Sequence, residues 1–149
     1  MSIVYERLMP SHIDGMEVIE NLCFSEPWSR RSLEELLDCE YAVYFVAKDE
    51  ESGTVAGYAG MYVSLDVGNI NNVGVLPQFR RCGIGKRLMN ELCSYCKNNS
   101  ITLLTLEVRE SNLPAIGLYE SLGFENVGVR KNYYKKPSEN GVLYNLEIK

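Results

Sequence analysis

One short segment, Arg80-Arg81-Cys82-Gly83-Ile84-Gly85-Lys86, constrains this chain more than any other, because it joins a strand-like run to an amphipathic helix. Before it, residues 70–75 end in β-branched side chains, and Leu76-Pro77-Gln78 breaks the run. After it, apolar residues at Leu88, Met89, Leu92, Tyr95 and Cys96 fall at helical spacing. The two glycines therefore lie at a predicted helix N-terminus, where unpaired backbone N–H groups and the macrodipole favour an anion. A side chain in their place would hold a phosphate away from those amides. Arg80, Arg81, Lys86 and Arg87 place four cations within eight residues of a chain whose net charge is −5. The segment reads as a site for a phosphate-bearing cofactor; the alternative is a solvated basic helix start.

The common nucleotide loops do not fit. A Walker loop needs Ser or Thr after Gly-Lys, and Arg87 stands there. A dinucleotide fingerprint needs a third glycine where Leu88 stands. Arg-x-x-Gly-x-Gly after a strand instead resembles the acyl-CoA pyrophosphate loop of the GNAT superfamily of N-acetyltransferases. Leu106-Glu107-Val108-Arg109-Glu110-Ser111-Asn112, followed by Ala115 and Leu118-Tyr119-Glu120-Ser121-Leu122-Gly123-Phe124, resembles the second signature of that superfamily. Asn132-Tyr133-Tyr134 and Phe24-Ser25-Glu26-Pro27-Trp28-Ser29 are similar to its ribosomal-protein-alanine N-acetyltransferase branch. These matches run through most of the chain in the right order.

The resemblance implies acetyl-CoA as co-substrate, with Arg80 to Lys86 (Arg80, Arg81, Cys82, Gly83, Ile84, Gly85, Lys86) on its pyrophosphate. Val73, Gly74 and Val75 would pair with the pantetheine arm, with the Val75 amide near the reacting carbonyl oxygen. Asn112, by itself a good helix cap, would also bond the arm. Glu107 would be the general base, and Tyr119 would protonate the departing thiolate as well as touching the cofactor. Read without the resemblance, Glu107 is a solvated strand-end carboxylate and Tyr119 a core aromatic. Trp28, Tyr133 and Tyr134 would flank a groove for a protein N-terminus, though the two tyrosines serve equally as packing residues. Asn71-Asn72 departs from the superfamily, which often carries a carboxylate or aromatic nearby, and the last strand, beginning at Gly141, lacks an acidic residue common in relatives.

Length and composition agree with an enzyme of this kind. A chain of 149 residues fits one domain, residues 1–149. Hydrophobic content of 46% and charged content of 23% are ordinary for a globular protein. No signal peptide or membrane span is expected, and the chain reads as cytoplasmic. Five cysteines point to free thiols. Cys93-x-x-Cys96 lies late in a helix with His12 as the only histidine, so neither a metal site nor a redox pair is expected. Residues 1–51 carry twelve acids and four bases, while residues 52–149 carry eight acids and eleven bases. The basic part suits a polyanionic cofactor, and the acidic part suits a cationic amine or basic peptide, or is simply a solvated helix face. No nucleic-acid or membrane partner is expected, and the chain reads as a monomer or weak dimer.

Strands are expected at residues 3–7, 41–48, 55–65, 70–75, 101–108, 124–130 and 142–148. Helices are expected from a Ser11 cap to Cys23, over 30–37, from the cofactor loop to about Lys97, and from Pro114 to Gly123. Consecutive strands followed by alternating helices give an α/β (α+β) class with a mixed sheet. The resemblance adds an open sheet of six or seven strands and about four helices, splayed beside the fourth strand. The activity so implied is transfer of acetyl to a protein α-amino group. Its rivals are transfer to lysine or a small amine on the same fold, and a non-catalytic acyl-CoA-binding module.

Overall fold

Alternating apolar side chains build the middle of the sheet. In the computed structural model, which describes residues 1–149, β1 (Ile3–Arg7), β2 (Ala42–Asp49), β3 (Val55–Ser64) and β4 (Val67–Val75) form an antiparallel run. On β2, Val43 and Ala47 enter one hydrophobic cluster while Tyr44 and Val46 enter another, because successive side chains point to opposite faces. Helices α1 (Ile13–Cys23) and α2 (Arg30–Glu35) cover the second face with Met16, Ile19 and Leu33. Helix α3 (Ile84–Asn98) covers the first face with Leu88, Met89, Leu92 and Cys96. Then come β5 (Leu103–Arg109), α4 (Leu113–Ser121), β6 (Glu125–Tyr134) and β7 (Glu139–Glu147). The sheet order is β1-β2-β3-β4-β5-β7-β6, and only β4–β5 is parallel. Seven strands and four helices match the expected fold class.

The β4–β5 pair is short. It holds only at Val67↔Leu103, Gly68↔Leu104 and Asn69↔Thr105. Beyond that point β4 follows β3 to Gly57↔Val75, while β5 follows β7 to Arg109↔Gly141. A bulge helps them part: Gly60 faces Asn72 and Met61 faces Ile70, so Asn71 is the extra residue that bends β4. The expected splay beside the fourth strand is present.

Several boundaries differ from the sequence reading. Ser11 is not the cap of α1; it sits inside a 3₁₀ turn, Pro10–His12, closed by the Met9 amide donating to His12 Nδ1 at 3.0 Å. β4 starts at Val67, because polar Asn69 and Asn71 occupy the exposed positions of an alternation whose buried members are Gly68, Ile70, Asn72 and Gly74. β6 runs on through Tyr133 and Tyr134, and β7 starts at Glu139. The last strand therefore does begin with an acidic residue, two positions before Gly141.

Truncating Leu92, which is fully buried on the sheet-facing side of α3, is expected to cost about 2–5 kcal/mol. Urea unfolding of Leu92→Ala against the unaltered protein measures it.

Candidate active site

The parted strands create the site. At the end of β4 the Leu76 amide bonds back to Ala56 O on β3 at 2.8 Å. Successive strand amides point to opposite edges, so the Val75 and Val73 N–H groups face the gap toward β5. Gly74 points the other way: a Cβ there would lie 2.8 Å from Ile19 and 3.3 Å from the Phe24 ring. The glycine thus admits α1, which accounts for the missing side chain on this face.

The basic loop follows. Arg80 Nε donates to Val75 O at 3.0 Å, tying the loop to the strand end. Gly83 takes φ +79° as the residue that opens α3, and Arg81 is also left-handed at φ +63°. The bond from Arg87 N–H to Gly83 O, 3.0 Å, spans the first turn of α3, so the amides ahead of Arg87 project from the helix end. A Cβ on Gly83 would meet nothing within 4 Å, which leaves that end open. Cys82 is exposed, as are Arg81 and Lys86, while Ile84 is buried and anchors the helix to the core. Gly85 faces Leu118 of α4. The N-terminus of α4 is capped by Asn112 Oδ1, which accepts from the Ala115 amide at 3.3 Å. The open start of α3, its free amides and several cations meet beside the end of β4, an arrangement that suits a pyrophosphate.

On the α1/α2 face the same gap widens into a groove of about 550 Å³, lined by Trp28, Asn71, Asn72, Glu107, Tyr133 and Tyr134 among others. Glu107, on β5, places Oε1 3.6 Å from Arg130 Nη2. Its Oε2 is buried and has no hydrogen-bond partner. Such an atom is costly to leave unpaired, and its residue lines the groove. Tyr134 is half-buried, and burial first, then the Glu107 charge, pushes its phenol up to about 12. Tyr119 is 7% exposed and packs on Phe124 with ring centroids 5.8 Å apart. Burial, and then the neighbouring Tyr134, push its phenol up to about 12, so it keeps its proton through the neutral range.

These features have counterparts in known proteins. The model of the acetyltransferase (GNAT) family matches residues 13–124. A [ribosomal protein bS18]-alanine N-acetyltransferase of Haemophilus influenzae is 38% identical over 146 residues, spanning 96% of this chain and 97% of that one. The chain belongs to the GNAT acetyltransferase family. It is an N-acetyltransferase with acetyl-CoA as its co-substrate. The crystal structure of the ribosomal-protein-S18-alanine N-acetyltransferase from Escherichia coli superposes with a TM-score of 0.89 at 30% identity, covering 99% of this chain and 94% of that one. Arabidopsis thaliana NAA60, solved with a bisubstrate analogue, shares the fold at a TM-score of 0.90 and 21% identity, covering 99% of both chains.

The structure brings Glu107, Trp28, Tyr133 and Tyr134 to one groove, while Arg80 to Lys86 form the loop that leaves the Val75 end of β4. Two further residues escaped the sequence reading. Arg109 lies inside the second signature, yet nothing in its spacing gives it a partner. Its guanidinium donates to Lys135 O at 2.8 Å, Pro137 O at 2.9 Å, Glu139 Oε1 at 3.1 Å and Ser25 Oγ at 3.2 Å, and lies 4.5 Å from the Tyr134 ring centroid. One side chain so joins the β6–β7 turn to the α1–α2 loop. Glu20, 1% exposed on α1, does the same from the other lip. Its Oε1 accepts the Trp28 amide at 2.8 Å, and its Oε2 accepts Asn72 Nδ2 at 3.0 Å and the Tyr58 hydroxyl. A Glu among apolar residues on a helix is a readable oddity. The amide at residue 72, the departure noted in the fourth strand, is its partner.

Arg109→Met is expected to free both lips and raise the acceptor KM about tenfold or more, with a smaller change in acetyl-CoA affinity; initial rates against each substrate separate the two. Glu139 titrates below the usual carboxylate range because the Ser111 hydroxyl, Arg109 and the Ser111 amide all favour its charged form. A depressed folded pKa means that this contribution is complete above the unfolded value and fades as pH falls through the folded one. The Ser111 amide, 3.1 Å from Glu139 Oε2, is therefore expected to hold its NMR shift from neutrality down to about pH 5 and to move only under more acid conditions.

Proposed function

We propose that this acetyltransferase acts on the α-amino group of protein N-termini, with an N-terminal alanine, as on a ribosomal protein, as its acceptor, and that residues 1–149 work as one domain in the cytoplasm. The names of the Haemophilus influenzae and Escherichia coli relatives support the acceptor. Five free thiols fit the location. The observation that carries the reading is the unpartnered Glu107 Oε2 in the wall of an open groove. An arriving amine supplies the missing donor.

Each residue then has a task. Arg80, Arg81, Lys86 and the amides of Cys82, Gly83, Ile84 and Gly85 hold the pyrophosphate. Val73, Gly74 and Asn112 align the arm, and the Val75 amide meets the carbonyl oxygen as negative charge grows there. Acetyl-CoA, when bound, supplies the acetyl group as a thioester. Trp28, Tyr133 and Tyr134 guide the acceptor so that its nitrogen reaches Glu107, which accepts the proton shed as the C–N bond forms. Tyr119, protonated at neutral pH, returns a proton to the sulfur as the C–S bond breaks. An α-amine with pKa ~7.7–8.0 is about a tenth neutral at pH 7, whereas lysine at ~10.4 is neutral to a few parts in ten thousand. One carboxylate suits the former.

Mass spectrometry of a mixed acceptor panel tests this. Free-N-terminal peptides, led by alanine, should be acetylated, while blocked peptides bearing one lysine and small polyamines should not. Transfer only to lysine or polyamines would overturn the acceptor. Glu107→Gln and Tyr119→Phe should each cut kcat by ~10²-fold or more while acetyl-CoA binding stays intact. Undiminished turnover in Tyr119→Phe removes that residue from the mechanism.

A further inference from the structure

A second hollow, of about 330 Å³, adjoins the acceptor groove and is not used by the chemistry above. Trp28 lines both spaces, so the two meet across one indole. They also adjoin along the sheet: Tyr62, in the hollow, is the cross-strand partner of Asn69, in the groove, and directly opposed residues point to the same face. A chain leaving the groove past Trp28 runs into this hollow.

Its walls have a definite chemistry. Trp28, Tyr41 and Tyr62 offer three aromatic rings, the two tyrosines edge to face with centroids 5.1 Å apart. Tyr41 is 57% exposed, with nothing packed over its outer side. Glu35 supplies a carboxylate at the rim. Its one ion partner, Arg31 at 3.5 Å, is 90% exposed, and such a solvent-facing pair holds its members weakly. Around it, residues 26–40 carry five carboxylates, Glu26, Glu34, Glu35, Asp38 and Glu40, against Arg30 and Arg31. Aromatic faces with a carboxylate at the edge attract a cation, an arginine guanidinium best of all because it also stacks.

We propose that this hollow is a subsite for a basic side chain, arginine or lysine, carried by the acceptor a few residues after its acetylated N-terminus. The inference rests on the reading of the groove as a site for a protein N-terminus. It makes Trp28 the divider between the position of chemistry and the position of recognition, and gives the acidic N-terminal third of the chain a use.

The test is a set of alanine-first peptides bearing one Arg, Gln or Glu at each of positions 2 to 6, assayed with the unaltered enzyme, Glu35→Lys and Tyr41→Ala. In the unaltered enzyme Arg at one register should raise kcat/KM about tenfold over Gln, mainly through KM, and Glu there should lower it. The preference should shrink with added salt. Glu35→Lys should abolish or invert it, and Tyr41→Ala should reduce the Arg gain. Both side chains are exposed, and Glu35→Lys alone decides the matter should Tyr41→Ala fold poorly. No preference for Arg at any register, or a preference that survives Glu35→Lys unchanged, overturns the subsite while leaving the N-terminal acceptor intact. Failure to acetylate any free N-terminus overturns the acceptor reading and the subsite together.

Discussion

Everything functional in this molecule depends on two parallel strands that pair for three positions and then separate. A parallel ladder carried the full length of β4 and β5 would use up the Val73 and Val75 amides and close the groove. Here β4 is held by β3 and β5 by β7, and the extra residue at Asn71 turns β4 away from its parallel neighbour. The gap exposes strand amides at the edge of β4 and the Glu107 carboxylate in the wall of a groove. A single topological choice therefore opens both the strand edge and the groove.

A gap of this kind needs lips held at a fixed spacing, and here polar side chains hold them. Arg109 gathers carbonyls and a carboxylate from the β6–β7 turn and a hydroxyl from the α1–α2 loop. Glu20 gathers the Trp28 amide, Asn72 and Tyr58. Burying a carboxylate is expensive unless its oxygens are satisfied, and Glu20 meets that condition on both. Such contacts are directional, whereas apolar packing alone would let the loops slide. Glu107 is the contrast. It has one buried oxygen without a hydrogen-bond partner.

Much of the fold was legible. The spacing of Leu88, Met89 and Leu92 and the glycines ahead of them marked α3 and its open end, and the two signatures marked the family. The readings that failed share a cause. Ser11 was a sound cap by type, but the tertiary position of His12 let its ring close the preceding turn. β7 started earlier than apolar content suggested, because Arg109 and the Ser111 amide hold Glu139 in the strand.

The sequence by itself determined most of the elements, the glycine-rich basic start of α3 and the residue types available for acid and base work, since these follow from local spacing and backbone chemistry. Only the tertiary structure decided which oxygen of Glu107 is unpaired, that Arg109 and Glu20 clamp opposite lips, and that Trp28 stands between two hollows. Those facts depend on contacts between residues as many as 84 positions apart, such as Ser25 and Arg109. No local pattern encodes such a contact, because its free energy exists only after the strands have parted and the loops have met.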